Sequence, residues 1–215
     1  MLKAASHPTP KKEPMPMKKT AKPQSAAKEP GKTYQLKIEL DGASPPIWRR
    51  VLVPGKITLG HLHEIIQVVM GWENAHLHQF IVDKQVYSDP DFQLNESGDA
   101  PGNQVESKTL LMKVAPRAGK VLIYEYDFGD SWTHRIKVEK ILKQGPSMGS
   151  AVECIDGARA CPPEDCGGVW SYEDMLQVLK DPKHEEYESA LERLGEDFDP
   201  EAFDMEATNK ALRQF

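Results

Sequence analysis

Residues 120–142 read KVLIYEYDFGDSWTHRIKVEKIL, and this stretch decides the fold class. In its first half Leu122, Tyr124 and Tyr126 oppose Val121, Ile123 and Glu125, and in its second half the alternation runs through Trp132, His134, Ile136 and Val138. Alternation of period two places successive side chains on opposite faces of a strand. Between the halves lies Asp127-Phe128-Gly129-Asp130, with the short polar side chains and the glycine that a tight reversal needs. The stretch therefore predicts an antiparallel hairpin.

Working outward, residues 33–41, TYQLKIELD, predict a half-buried strand with Tyr34, Leu36, Ile38 and Leu40 on one face. Residues 47–53 predict a second strand antiparallel to it, its apolar run interrupted by Arg49 and Arg50. Thr58 is a suitable N-cap for a helix over 59–70, where Leu59, Leu62, Ile65, Ile66, Val69 and Met70 form one apolar stripe and Gly71 is the stop. Residues 77–82 and 85–87 read as short strands, 88–108 as a long polar surface loop, and 108–114 as a short helix. Residues 143–170 are rich in Gly and Pro and read as irregular. Ser171 with Asp174 suggests a helix start over 171–180, followed by helices over 184–194 and 200–215. Strands do not alternate regularly with helices. The expected class is α+β: a mainly antiparallel sheet with one early helix packed on it and a helical C-terminal part, in a single domain over residues 33–215.

The chain has 215 residues and a net charge of -6, and that charge is unevenly spread. Residues 1–32 hold eight lysines and two glutamates, and six of the 17 prolines. With no apolar periodicity to offset ordering entropy, they read as a disordered basic Lys/Pro-rich tail. Residues 33–215 hold 19 basic and 31 acidic residues, a balance of -12. Duplex DNA is not the obvious partner of such a body, so nucleic acid is expected only at the tail, by counterion release. No window approaches 18 consecutive apolar residues, and no apolar core marks a secretory signal. No membrane partner is expected. Three cysteines do not suit a disulfide-stapled module, and the cytoplasm is the expected compartment.

Four groups of residues carry possible chemistry. His61 and His63 lie about 200° apart around the helix, so one ion is not expected to take both. His76 and His78, if extended, share a face roughly 6–7 Å apart, a spacing at which two imidazoles can hold one metal or anion. Trp72 and Phe80 bracket them. Asp127 and Asp130, with His134 four residues on, can bind a metal or work as acid and base; the same turn also needs Asp and Gly for its backbone alone. The Asp-Phe-Gly triplet is not a kinase loop here, because no Gly-rich loop precedes a strand lysine and no His-Arg-Asp motif is present. Cys154, Cys161 and Cys166, with six and four residues between them, form a possible zinc cradle completed by His134 or His78, or else are packed structural thiols. The stretch 170–215, with 13 acidic and five basic residues, reads as a solvated helical face. Phosphate-binding, dinucleotide, nucleophile-elbow and His-Glu-x-x-His motifs are absent from the sequence.

Taken in order, PPIWRRVLVP, GWENAHLHQF, YEYDFGDSWTHRI, ACPPEDCGG and WSYEDML resemble the plasmid pRiA4b Orf-3-like domain family over about Tyr34 to Leu212. The resemblance implies a compact α+β domain associated with plasmids and mobile elements, some of whose relatives carry resolvase-like names. It carries over no activity and no metal-ligand set. A serine recombinase needs a nucleophilic serine beside clustered arginines on a parallel sheet. Here the one adjacent arginine pair, Arg49 and Arg50, lies in an expected strand, and the nearest serine, Ser44, lies in a Pro-rich turn. The first functional expectation is a non-enzymatic binding module, holding a protein or small ligand in a groove of Trp48, Trp72, His76, His78, Phe128 and Trp132, with Asp127, Asp130 and His134 beside it. The second is a metal-dependent hydrolase or nuclease using His76, His78, Asp127 and Asp130, with His134 as a further group. The third is a nucleic-acid-binding accessory protein acting through the tail.

Overall fold

The computed structural model describes residues 31–92, 102–143 and 152–214. The expected tail up to residue 30, residues 93–101 of the expected loop and residues 144–151 of the Gly/Pro-rich stretch lie outside the described residues. The expected hairpin is formed by β6 (Val121–Tyr126) and β7 (Trp132–Lys143), antiparallel, with Tyr124 opposite His134 and Tyr126 opposite Trp132. Strands β1 (Lys32–Leu40) and β2 (Trp48–Pro54) pair antiparallel, and β1 lies against β7 with a bulge between Gln35 and Leu36. On the other side of β6 come β3 (His78–Val82), β4 (Gln85–Ser88) and β5 (Gln104–Val105). With β8 (Glu153–Ala158) the sheet has, among the described residues, eight strands in the order β5-β4-β3-β6-β7-β1-β2-β8, and of their pairings only β4–β5 is parallel. The chain is a single α+β domain with a mainly antiparallel sheet.

One face of this sheet is the core. Leu36, Ile38, Val51, Leu122, Tyr124 and Ile136 are fully buried there. Helix α1 (Leu59–Met70) is capped by the Thr58 side chain, which accepts from His61 N, and ends at Gly71 in the left-handed region. All six residues of its apolar stripe are buried. Burial of each such side chain contributes about 1.5–3 kcal/mol, so the helix is held by packing rather than propensity. The C-terminal part comprises α3 (Gly168–Val178), α4 (Tyr187–Leu194) and α5 (Met205–Leu212), after a one-turn α2 (Leu111–Val114).

Three details differ from the sequence reading. Arg49 does not interrupt its strand. It continues the buried alternation with Val51 and Val53, donating from Nε to the Val69 carbonyl and from Nη1 to Trp48 and Ala158 carbonyls, all at 2.9 Å, with the Phe203 ring 4.1 Å from its Cζ. Strand β8 forms within the stretch read as irregular. Its Cys154-Ile155-Asp156-Gly157 run shows little alternation, and it is fixed by pairing with β2 and by Phe203, which occupies the space a side chain at 157 would need. Helix α3 begins at Gly168 rather than Ser171, because its first turn is seated on the β6–β7 turn.

That seat generates a prediction. Gly168 has φ +79°, and an added Cβ would lie 2.5 Å from the Asp130 carbonyl oxygen. Gly119 has φ +82° with open space around it. Gly119→Ala should therefore cost about 1–2 kcal/mol from backbone conformation alone. Gly168→Ala should cost clearly more in the same urea unfolding experiment.

Candidate metal centre and its cleft

The hydroxyl of Tyr126, at the end of β6, accepts hydrogen bonds from the backbone N–H groups of Ala75 (2.9 Å) and His76 (3.3 Å), and donates to Glu164. Glu164 accepts in turn from Glu73 N at 2.7 Å. Trp72 Nε1 donates to the Pro162 carbonyl at 2.9 Å, and its ring stacks on Tyr126 with centroids 5.1 Å apart. Asp130 accepts from Gly167 N at 2.9 Å. These bonds clamp the Pro162–Cys166 loop onto the segment after α1 and onto the hairpin turn.

The clamp brings three donors together. The ligand atoms of His76, Asp127 and Asp165 all lie within 4.8 Å of one another. His76 Nε2 stands 3.2 Å from Asp165 Oδ1 and 3.8 Å from Asp127 Oδ2. This nitrogen is shielded from solvent yet has no well-angled hydrogen bond. Asp127 Oδ1 accepts from Gly129 N at 2.9 Å, which holds the side chain in the turn and leaves Oδ2 toward His76. Asp127 and Asp165 both have left-handed backbones, φ 55° and 59°, a conformation that Asp tolerates better than most residues.

His76 also lines a cleft of about 650 Å³ with His61, His63, His78, Glu64 and Glu106. Inside it His78 Nε2 meets both carboxylate oxygens of Glu106, at 3.0 and 3.1 Å, and both side chains are buried. The His78 ring lies flat on His63, centroids 3.4 Å apart. His63 is held neutral. Burial, and then the charge of His78, push its pKa down to about 3. Its ring bridges the Tyr124 hydroxyl and Asn74 Oδ1, both at 2.8 Å.

The expected site residues are thus distributed unequally. His76 and Asp127 converge. His78 lines the same cleft but is committed to Glu106, and Asp130 braces α3. Trp72 and Trp132 are buried in the core, and Trp48 lies on the opposite face of the sheet between Lys37 and Arg50, so these three do not wall one groove. Phe128 is exposed at the turn. Of the zinc cradle expected from Cys154, Cys161, Cys166 and His134, no member belongs to a group of three converging metal donors among the described residues. Cys154 faces the Asp156 carbonyl and Cys161 lies against Met70 Sδ. Burial raises the Cys161 thiol to about 11 and that of Cys166 to about 12, which keeps both protonated. His134 is wholly buried and turns Nδ1 to the Trp132 carbonyl at 3.1 Å. The sequence reading missed Asp165, although it lies inside the PPEDCGG segment, and Glu106, which no local pattern marks.

Two buried neutral histidines imply an acid sensitivity. Burial lowers His134 to about 4 and His63 to about 3. Below the ordinary histidine value near 6.5 the unfolded chain binds protons that the folded chain refuses. Stability is therefore complete above that pH and is lost as pH falls toward 4. Between pH 7 and pH 5 each histidine should remove about 2 kcal/mol. His134→Phe should remove about half of this slope in unfolding free energies measured across that range.

The comparisons agree with this architecture. Residues 32–207 match the family model described as plasmid pRiA4b ORF-3-like protein. The chain is 38% identical over 180 residues to the uncharacterized protein y4hQ of Sinorhizobium fredii (strain NBRC 101917 / NGR234), an alignment covering 83% of this chain and 89% of that protein. It is also similar to the crystal structure of MM3350, a protein of unknown function from Methanosarcina mazei Go1, with a TM-score of 0.70 and 40% identity, covering 81% of this chain and 96% of that one. The chain belongs to the plasmid pRiA4b ORF-3-like protein family.

Proposed function

We propose that His76, Asp127 and Asp165 hold a divalent cation and that the domain is a metal-dependent hydrolase acting on a ligand seated in the adjoining cleft. The observation that carries this reading is the His76 Nε2 lone position: shielded from water, without a hydrogen bond, and flanked by two carboxylates within 4.8 Å. One imidazole and two carboxylates suit zinc, manganese or ferrous iron. Three protein ligands leave coordination positions for water and substrate, and a bound metal brings the pKa of its water toward about 7. His78, held by Glu106 through Nε2, lines the same cleft beside His76. An aromatic groove for a peptide finds less support, because Trp72 and Trp132 are interior.

The test begins with metal-stripped full-length protein titrated with Mn²⁺ and Zn²⁺ by calorimetry. One ion per chain is the expected stoichiometry. Asp127→Asn and Asp165→Asn should each weaken binding at least about tenfold, and Tyr126→Phe, which frees the His76 backbone and Glu164, should weaken it by about 10–100-fold. Asp130→Asn, whose amide oxygen can still accept from Gly167 N, should leave affinity unchanged. Metal-stimulated cleavage of chromogenic ester and phosphodiester probes should vanish in Asp165→Asn. A parent chain that binds neither ion, or carboxylate variants that bind as the parent does, would overturn the site.

A further inference from the structure

The face of the sheet opposite the core carries a row of cations where β7, β1 and β2 meet. Lys137 on β7, Lys37 on β1 and Arg50 on β2 stand directly opposite one another across the three strands. Adjacent strands lie about 4.8 Å apart, and like charges in direct opposition destabilise a sheet. Folding alone does not favour this row. Arg135 and Lys140 extend it along β7, and both are exposed. The carboxylates lining the same grooves are Glu39, Glu139 and Asp156, and Glu125 farther out on β6 accepts from Gln79 Nε2 at 2.8 Å.

The anions are also already engaged. Arg50 binds Glu139 at 2.7 Å and Asp156 at 2.6 Å, and Lys37 binds Glu39. Among the described residues Arg135, Lys137 and Lys140 have no carboxylate partner. Beside the row lies Trp48, half-exposed, with Lys37 Nζ 5.2 Å and Arg50 Cζ 4.8 Å from its ring. Two shallow grooves of about 540 and 400 Å³ cross this face, and Arg50, Lys137 and Glu139 line both.

We propose that this face of β7, β1 and β2 binds single-stranded nucleic acid, with the Lys137–Lys37–Arg50 row along the phosphates and Trp48 as a stacking platform for a base. A broad open sheet with interleaved cations and an aromatic ring matches unstacked bases, which can lie flat on a side chain. It offers no element shaped for a duplex groove, and the acidic body repels the higher line charge of a duplex. The surface is separate from the metal centre, and its test is independent of that reading.

The experiment measures fluorescence anisotropy of fluorescein-labelled single strands, a thymidine DNA 20-mer and a uridine RNA 20-mer, with full-length protein. To separate the tail, a full-length variant carries Gln at Lys3, Lys11, Lys12, Lys18, Lys19, Lys22 and Lys28. In that background binding should persist. Adding Arg135→Ser with Lys137→Ser should lower affinity about tenfold or more and reduce the slope of log affinity against log salt by about 1.4, two phosphate contacts at about 0.7 each. Trp48→Leu should lower affinity about fivefold or more through lost stacking. Arg135 and Lys137 are exposed, so thermal midpoints of the double variant should match the parent. The stronger-binding 20-mer identifies DNA or RNA as the ligand. Loss of all binding on neutralising the tail, parent-like binding by the double variant, or equal binding of a duplex or of polyglutamate would each overturn the proposal.

Discussion

The candidate site depends on one hydroxyl group. Tyr126 accepts from two backbone N–H groups of the segment after α1 and donates a hydrogen bond to Glu164 in a loop 38 residues further along the chain. Burial and this bond to Glu164 push its pKa well above that of an ordinary tyrosine, so it stays a donor across the physiological range. Together with the Glu73–Glu164 and Trp72–Pro162 bonds it joins the segment of His76 to the loop of Asp165. The bond works because Tyr126 is the last residue of a strand whose register is fixed on both sides, by β3 and by β7. Sheet register, a consequence of hydrophobic alternation, is thereby converted into the position of His76, a candidate metal ligand.

A second constraint is the guanidinium of Arg49, on the core face of β2. Arg49 is a buried cation with no carboxylate partner among the described residues, satisfied by three backbone carbonyls and an aromatic ring. A buried charge is tolerated only with such hydrogen bonds. Its partners are the end of α1, its own strand and β8, so it fixes the helix end from which Trp72 and His76 depart. The same guanidinium lies 3.6 Å from Cys161 Sγ, at the start of the clamped loop. The thiols thus read as packing groups in a polar scaffold, which is why their spacing followed no ligand pattern.

Periodicity made the framework legible. The β6–β7 hairpin, the β1–β2 pair and α1 with its Thr58 and Gly71 caps all follow from local signals that point the same way as the tertiary structure. Elements at the sheet edge were not legible. Strand β8 pairs only with β2, and β5 consists of two residues. In the site, His76 and Asp127 were readable because each stands in a motif of mixed aromatic and polar residues. Asp165 and Glu106 were not, because each acquires its role from a contact across the fold. Arg49 shows the converse: a charge that looked like a break in a strand is a cross-link placed on the core side.

The backbone of the site carries a cost that its side chains alone do not explain. Asn74, Asp127, Ser131 and Asp165 all occupy the left-handed region, clustered in the three segments that meet at His76. Each such residue costs of the order of 1 kcal/mol or more relative to ordinary backbone, although Asp and Asn suffer least. Glycine at these positions would relieve the strain and would also remove the carboxylates. Asp127 uses its carboxylate twice, with Oδ1 held by Gly129 N and Oδ2 directed toward His76, and glycine there would lose both contacts.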